Sequence, residues 1–265
     1  MPPLKVVRSV AANGDVVVRV GVREVDEYLE FVASRARLET LLATAFDLKV
    51  FFSWAGKRPS AVTSKDVIAF VVDQRRGDAK IAAISDGGSG LSARTVARRL
   101  SSLSGFYSYL LAVGGNRVRA NPVPRGLATR RARRSGAAGA PLVRTPKTLP
   151  RILAPGEVDA LVAALRTERD RAMVEAMVLG GLRRGEVLGL RLCDLYAAER
   201  RVFVVDGKGG RQRMIPMAGR FFATVARYLE SERPAGAGSD RVFLVLKGPR
   251  RGQPLSAYGL DEILD

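Results

Sequence analysis

The sequence contains no histidine, and it contains cysteine only once, at Cys193. Without histidine there is no imidazole to act as a general base, and the commonest side-chain ligand of transition metals is missing. A single cysteine excludes an internal disulfide and is typical of a protein in the reducing cytoplasm. Any catalysis therefore depends on arginine, lysine and carboxylates, and we expect neither a metal nor another cofactor.

Long apolar segments are also absent. No apolar run approaches the length of about 20 residues that a membrane-spanning helix needs. The first fifteen residues, MPPLKVVRSVAANGD, lack the apolar stretch of a secretory signal peptide. We therefore expect a cytoplasmic protein with no membrane partner.

Basic residues far outnumber acidic ones. The chain of 265 residues has 44 Lys and Arg against 26 Asp and Glu, a net charge of +18, which predicts attraction to nucleic acid. No acidic residue occurs between Asp86 and Glu157. Thirteen cations fall within that interval and form a localised basic patch: Arg94, Arg98, Arg99, Arg117, Arg119, Arg125, Arg130, Arg131, Arg133, Arg134, Arg144, Lys147 and Arg151.

The first part of this patch has the pattern of an amphipathic helix. Ser92 is a suitable N-cap, and Arg94, Arg98 and Arg99 lie outside an apolar stripe of helical spacing. These arginines are candidates for contact with DNA phosphates or the major groove, and the alternative is an ordinary solvated face. Because the sequence nearby offers no acidic partner, DNA is the favoured interpretation. The apolar stripe consists of Val96, Leu100, Leu103, Tyr107 and Leu110.

The second part of the patch, residues 121–150, is rich in Pro, Gly, Ala and Arg and is predicted to be a linker between two domains. Such a linker either lies across DNA that both domains hold or serves as a disordered, solubilising spacer. Its candidate DNA-binding residues are Arg130, Arg131, Arg133 and Arg134.

The hydrophobic pattern predicts two domains of different class. Residues 1–21 form a β-hairpin extension around Asn13-Gly14, a strong turn signal, and residues 22–120 form an all-α domain. Residues 151–265 read as an α+β domain. Its predicted helices are Glu157–Leu165, Arg169–Leu179, Glu186–Leu190 and Phe221–Leu229, and its predicted strands are Val202–Val205, Arg213–Ile215 and Val242–Leu246.

Two short motifs in the second domain are candidates for chemistry. In Gly181-Leu-Arg-Arg-Gly-Glu186, the glycines allow a turn, Arg183 begins a helix and Glu186 lies one turn on, able to orient a cation. In Gly207-Lys-Gly-Gly-Arg-Gln-Arg213, Lys208 lies at a hairpin tip, followed by Arg211. The second motif lacks the GxxxxGK[ST] pattern, so nucleotide hydrolysis is not expected.

In this order and spacing, the two motifs resemble those of the phage-integrase or Xer-like tyrosine recombinase family. Leu179–Asp194 resembles the family's first catalytic-arginine box, and Val205–Pro216 resembles its catalytic-lysine hairpin. Leu91–Leu100 and Asn121-Pro122 resemble the last helix and the exit of its SAM-like core-binding domain. Further matches to that domain are Thr40, Asp47, Leu48, Phe51, Trp54, Phe106 and Tyr107, whereas Thr44 replaces an aromatic residue.

The resemblance implies a reaction without metal or ATP, in which a tyrosine attacks a DNA phosphate and forms a phosphotyrosyl link. Arg183 is implied to clamp a non-bridging oxygen, Lys208 to protonate the leaving oxygen and Glu186 to hold the site in shape. Arg211 and Arg213 are further implied contacts to DNA. We expect Arg183 and Lys208 to face one concave, basic surface, with double-stranded DNA and other recombinase protomers as partners.

The family's later His-x-x-Arg box and nucleophilic tyrosine are not in this chain, whose sequence stops at Asp265, about where that box begins. No tyrosine present is nominated as the nucleophile, so the catalytic domain is expected to be incomplete. Two hypotheses remain open, a fragment of a recombinase and a truncated integrase that binds DNA without cutting it. A general basic chromatin-like protein is a distant third.

Overall fold

The computed structural model of the chain describes residues 4–12, 14–77, 90–114, 117–124, 126, 141–146, 149, 152–207 and 210–264. Contacts within the chain divide it into two units, Met1–Leu149 and Pro150–Asp265. Each unit has its own hydrophobic core. Among the described residues, no helix combines the length and the apolar character needed to cross a bilayer.

The first unit begins with the predicted β-hairpin. Strand β1, Val7–Val10, pairs antiparallel with β2, Val16–Arg19. Gly14 adopts a positive φ of 85°, which a tight turn between the strands requires and glycine permits at little cost. Asn13, the other half of the turn signal, lies outside the described residues. Val18 on β2 is buried and joins the hairpin to the helical core.

Four α-helices follow the hairpin within the described part of this unit, in agreement with the predicted all-α domain. Thr63 starts the third helix with a capping box, because its hydroxyl accepts from the Asp66 N–H and the Asp66 carboxylate accepts from the Thr63 N–H. Ser92 caps the fourth by accepting from the Thr95 N–H at 3.2 Å, as predicted. The helices are α1 (Arg23–Ala33), α2 (Leu38–Ala55), α3 (Ser64–Arg76) and α4 (Ala93–Val113), with a 3-10 turn at Pro59–Ala61.

Aromatic side chains fill the centre of the first core. Phe51 on α2 meets Phe70 on α3 edge-to-face at 5.1 Å, and Phe52 meets Phe106 on α4 in the same manner at 5.6 Å. Such pairs contribute about 0.5–1.5 kcal/mol beyond the burial of their area. The core therefore fixes α2, α3 and α4 against one another.

Part of the predicted linker packs on this unit. Val123 is buried in the first core, and Leu142 and Val143 pack against it. Composition predicted a linker over residues 121–150, but it does not reveal how isolated apolar residues within such a segment pack. The Asn121 side-chain amide donates to the Ser104 carbonyl at 3.0 Å, which ties the start of this segment to α4.

The second unit combines helices with a small antiparallel sheet. Its strands Leu195–Tyr196, Arg201–Val204 and Arg213–Pro216 pair in that order, with Val202 opposite Ile215 in the longer pair. The predicted helices and the first two predicted strands are present with shifted ends, whereas the strand Leu195–Tyr196 and the helix Ala257–Leu264 were not predicted. The elements are α5 (Pro155–Ala164), α6 (Glu168–Gly180), α7 (Arg184–Gly189), β3 (Leu195–Tyr196), β4 (Arg201–Val204), β5 (Arg213–Pro216), α8 (Gly219–Ser231) and α9 (Ala257–Leu264), with a 3-10 turn at Leu192–Asp194.

The predicted strand Val242–Leu246 is wrong. This apolar segment carries one isolated bridge, Leu244 with Pro254, and scattered backbone hydrogen bonds such as Val242 N–H to the Leu190 carbonyl at 2.9 Å. The buried Tyr228 hydroxyl on α8 adds two contacts, donating to the Val242 carbonyl at 3.1 Å and accepting from the Leu244 N–H at 3.2 Å. An apolar run of this length indicates burial, but it cannot distinguish a strand from a buried loop.

Candidate functional site

The arginine box occupies the break between α6 and α7. Gly181 adopts the left-handed conformation, φ 61°, and the Leu182 N–H donates to the Ala176 carbonyl at 3.3 Å, which closes the end of α6. The chain then extends through Arg183 and enters α7 at Arg184. The Gly-Gly pair thus turns the chain so that Arg183 stands at the start of α7, as predicted.

Glu186 is the centre of the box. Its carboxylate is almost fully buried, with 4% of the side chain exposed, and it accepts from the Arg183 N–H at 2.9 Å and from Arg183 Nη1 at 2.9 Å. Arg213 on β5 donates to the same carboxylate from Nη1 at 3.0 Å and from Nη2 at 2.8 Å. Glu186 therefore connects the arginine box with the base of the lysine hairpin.

These contacts stabilise the charged form of Glu186. Hydrogen bonds from Arg213, followed by those from the Arg183 backbone and side chain, outweigh the opposing effect of burial and lower the pKa of Glu186 from 4.5 to about 2. The Glu186 carboxylate in turn raises the pKa of Arg213. The side chain of Arg183 remains 58% exposed although Glu186 fixes it. One part of this guanidinium is anchored, and the rest is open to an anion from solution.

The second motif forms the connection between β4 and β5. The Gly207 N–H donates to the Arg211 carbonyl at 3.2 Å, and a Cβ on Gly207 would collide with that carbonyl, so glycine is required there. Arg211 is exposed, whereas Arg213 is directed to Glu186. Lys208 lies outside the described residues, so the prediction that it shares a surface with Arg183 stays a prediction.

The arginines of α4 have an acidic partner that the sequence did not suggest. Asp47 on α2 forms an ion pair with Arg98 at 2.7 Å and lies 3.7 Å from the Nε of Arg99. The expectation that no acidic group is near these arginines is therefore wrong, because 51 positions of sequence separate Asp47 from Arg98.

The three α4 arginines consequently differ. Arg94 is exposed, and the Arg98 side chain is 49% exposed. Arg99 is buried, with 8% of its side chain exposed, and its Nη1 donates to Gln74 Oε1 at 2.9 Å. Its inclusion among the DNA-contacting candidates is contradicted, because its guanidinium is enclosed between helices. The linker candidates Arg130, Arg131, Arg133 and Arg134 lie outside the described residues.

Sequence reasoning missed the structural role of Asp47. The available signal was a single carboxylate in the largely apolar run from Leu41 to Phe52 of α2, since a buried charge requires a partner.

Sequence reasoning also missed a basic turn after Val245, whose exposed cations include Lys247, Arg250 and Arg251. Lys247 and Arg250 line a cleft of about 510 Å³ in the second unit.

The tyrosines divide by exposure. Tyr28, Tyr107 and Tyr228 are buried, and the Tyr107 hydroxyl donates to the Pro59 carbonyl at 2.9 Å. Tyr196 and Tyr258, both in the second unit, are exposed by 42% and 69%. The remaining one, Tyr109, packs on Phe31 with ring centres 5.2 Å apart.

Comparison with known proteins agrees with this two-part arrangement. A model of the phage integrase family matches residues 151–265, and a model of the phage integrase N-terminal SAM-like domain matches residues 25–114. A structure of a lambda integrase dimer bound to a COC′ core site has a TM-score of 0.59 at 17% identity, covering 91% of this chain and 75% of that chain. This likeness confirms the predicted fold, a SAM-like helical domain followed by an α+β catalytic-type domain.

Two curated relatives extend the comparison. The tyrosine recombinase XerC 2 of Ralstonia nicotianae is 40% identical over 121 residues, 43% of this chain and 34% of the relative. The tyrosine recombinase XerD of Lacticaseibacillus casei is 31% identical over 218 residues, 78% of this chain and 63% of the relative. The chain thus spans less than two thirds of the length of each relative, 34% of the first and 63% of the second.

Matches to both the SAM-like domain and the phage integrase domain place the chain in the class of integrases. Within that class, the chain belongs to the tyrosine recombinase family, as its two motifs predicted.

Proposed function

We propose that this chain binds duplex DNA and acts in site-specific recombination or DNA integration. The observation that carries the proposal is the state of Arg183, which Glu186 anchors while 58% of its side chain stays exposed. An arginine held in this way presents a preorganised fork to a phosphate oxygen. Membership of the tyrosine recombinase family supports the choice of DNA as the source of that phosphate.

The first unit supplies a second contact with the same partner. Arg94 and Arg98 are one helical turn apart on α4, and both are exposed. Because each neutralised phosphate releases counterions, binding through such residues weakens steeply as salt rises. We also propose a cytoplasmic location, which the single cysteine of the sequence supports.

In the proposed reaction, Arg183 stabilises negative charge on a non-bridging phosphate oxygen, and Lys208 donates a proton to the leaving 5′ oxygen. Glu186 and Arg213 position Arg183. The tyrosine that attacks phosphorus is assigned to no residue of this chain. A DNA-bound lambda integrase dimer is among the structural neighbours, and another neighbour, at TM-score 0.59, is a lambda integrase tetramer bound to a Holliday junction. We therefore include further recombinase protomers among the proposed partners.

The second candidate function is a DNA-binding module that occupies a recombination site without cutting it. The exposed Arg94 and Arg98 on α4 favour it, because contacts with DNA phosphates need no catalytic group. Both candidates require DNA binding and differ only in covalent chemistry.

A binding titration tests the shared part. Fluorescence anisotropy with a labelled 30-base-pair duplex is measured for the unchanged chain across a series of salt concentrations. Replacing Arg94 and Arg98 together with alanine should weaken binding and reduce the salt slope by about 2, because two phosphate contacts are lost. The matched control, Arg201→Ala, removes an exposed arginine near Glu199 and should leave both quantities unchanged. Salt-insensitive binding, or an unaffected double variant, would contradict the proposal.

A further inference from the structure

The carboxylate of Asp47 is almost completely buried among the helices of the first unit. Its side chain is 1% exposed on α2, and it faces three residues of α4. Arg98 Nη1 lies 2.7 Å from its Oδ2, and the Ser102 hydroxyl donates to the same oxygen at 2.8 Å. Arg99 Nε lies 3.7 Å from Oδ1. One buried acid is thus shared between two arginines of the helix that carries the basic patch.

The two arginines use this carboxylate differently. Arg99 is enclosed and also donates to Gln74, which links α3 to the cluster. Arg98 has one nitrogen on Asp47 while 49% of its side chain remains exposed. Asp47 therefore fixes one edge of the Arg98 guanidinium, and the exposed remainder is available to a partner outside the protein.

The charges do not cancel within this cluster. A single carboxylate balances only one of its two arginines, and the exposed Arg94 adds another cation one turn earlier on α4. Burial raises the pKa of Asp47, against the opposing effects of the Ser102 hydrogen bond and the two arginines. The same burial lowers the pKa of Arg99. An excess of positive charge therefore remains, and its outward part is Arg94 and Arg98.

We propose that Asp47 is a positioning residue for DNA binding, which holds the Arg98 guanidinium in the orientation that contacts a phosphate. This inference rests on the proposed function, in which α4 binds duplex DNA. A free arginine side chain on the surface loses rotamer freedom when it binds a phosphate. Arg98 loses less of it, because its contact with Asp47 already restricts the side chain in the free protein.

Positioning and simple electrostatics predict opposite results for Asp47→Asn. If only net charge matters, removing an acid next to a DNA-binding surface raises the affinity for DNA. If Asp47 positions Arg98, the same change releases the guanidinium and lowers the affinity by about 2- to 10-fold, the value of one immobilised side chain. The direction of the change therefore decides between the two explanations.

A matched control lies on the same helix. Glu39 is exposed at the start of α2, and Glu39→Gln changes the net charge by the same amount as Asp47→Asn. Its affinity for the labelled 30-base-pair duplex should stay the same or rise slightly. Both variants are compared with the unchanged chain at one salt concentration, and thermal unfolding followed by circular dichroism verifies that each is folded.

The Arg98→Ala background separates positioning from a general effect on the bundle. In that background Asp47→Asn should cause no further loss of affinity, because the two changes act through one guanidinium. An affinity of Asp47→Asn equal to or above that of the unchanged chain would overturn the inference, as would an equal loss in the Arg98→Ala background.

A second variant covers the possibility that Asp47→Asn unfolds the bundle, since the buried Arg99 would lose its counterion. Ser102→Ala removes one hydrogen bond from Asp47 and leaves every charge in place. It should lower the affinity by about 2-fold, and only when Arg98 is present. If Asp47→Asn does not fold, no effect of Ser102→Ala in the folded protein would overturn the inference.

If the unchanged chain fails to bind the duplex, or if it binds but its affinity does not fall when Arg94 and Arg98 are replaced, the proposed function fails first.

Discussion

The guanidinium of Arg213 and the carboxylate of Glu186 are joined by hydrogen bonds of 3.0 and 2.8 Å, although 27 positions of sequence separate them. The pairing is bidentate, which fixes both the distance and the orientation of the two planar groups. It attaches the first residue of β5 to the first turn of α7. Arg213 was nominated as a DNA contact, but its guanidinium is committed to this internal pair, so we interpret it as a positioning residue.

The acid dependence of stability should depend on Glu186. Its pKa falls from 4.5 to about 2 on folding, so its contribution is fully present above pH 4.5 and is lost as the pH falls toward 2. The contribution is at most about 3 kcal/mol. Urea titrations followed by circular dichroism should show the difference in unfolding free energy between the unchanged chain and Glu186→Gln shrinking across that range. A difference independent of pH would contradict the assignment.

Arg213→Lys should destabilise the second unit by about 1–3 kcal/mol, because lysine cannot reproduce the bidentate pair and the buried Glu186 loses donors. The measurement is urea denaturation at neutral pH. Arg211→Lys is the matched control, since Arg211 is exposed two residues earlier, and it should change the unfolding free energy by less than about 0.5 kcal/mol. Equal effects of the two variants would show that the pair with Glu186 contributes nothing specific.

Tyr228→Phe should destabilise the second unit by about 1–2 kcal/mol. The missing hydroxyl leaves the Val242 carbonyl and the Leu244 N–H without that partner in a buried environment. Hydrogen exchange should also accelerate at Leu244. The control is Tyr196→Phe, because Tyr196 is 42% exposed on β3, and a comparable loss there would mean that burial of the hydroxyl is not the cause.

This chain alone should form no covalent adduct with DNA. Neither Arg183 nor Lys208 has an oxygen that could attack phosphorus, and the exposed tyrosines Tyr196 and Tyr258 fall before the point where the family's nucleophile occurs. The test uses a pool of nicked duplexes of randomised sequence, incubated with the purified chain and separated on a denaturing gel. An adduct band that disappears with Tyr258→Phe would identify a nucleophile that the motifs did not indicate.

Local sequence signals predicted local structure well. Ser92 starts a helix as expected, and the two glycines before Arg183 end one, because capping and left-handed turns depend on a few neighbouring residues. The same signals placed Glu186 one turn after Arg183, and the structure confirms their contact.

Pairings between distant residues could not be predicted in this way. The basic patch has no acid nearby along the chain, yet α2 brings Asp47 against Arg98 and Arg99 through helix packing. Likewise, an apolar run at 242–246 indicated burial but not its contacts with the Tyr228 hydroxyl. Both differences arise because tertiary packing, rather than local pattern, selects the partner.

The hydrogen bonds of Asn121 affect how the chain leaves α4. Its amide donates to the Ser104 carbonyl on α4 at 3.0 Å, six residues after Arg98. At the rise of an α-helix, six residues correspond to about 9 Å along the axis. The start of the segment that follows α4 is therefore held at a fixed position along that helix.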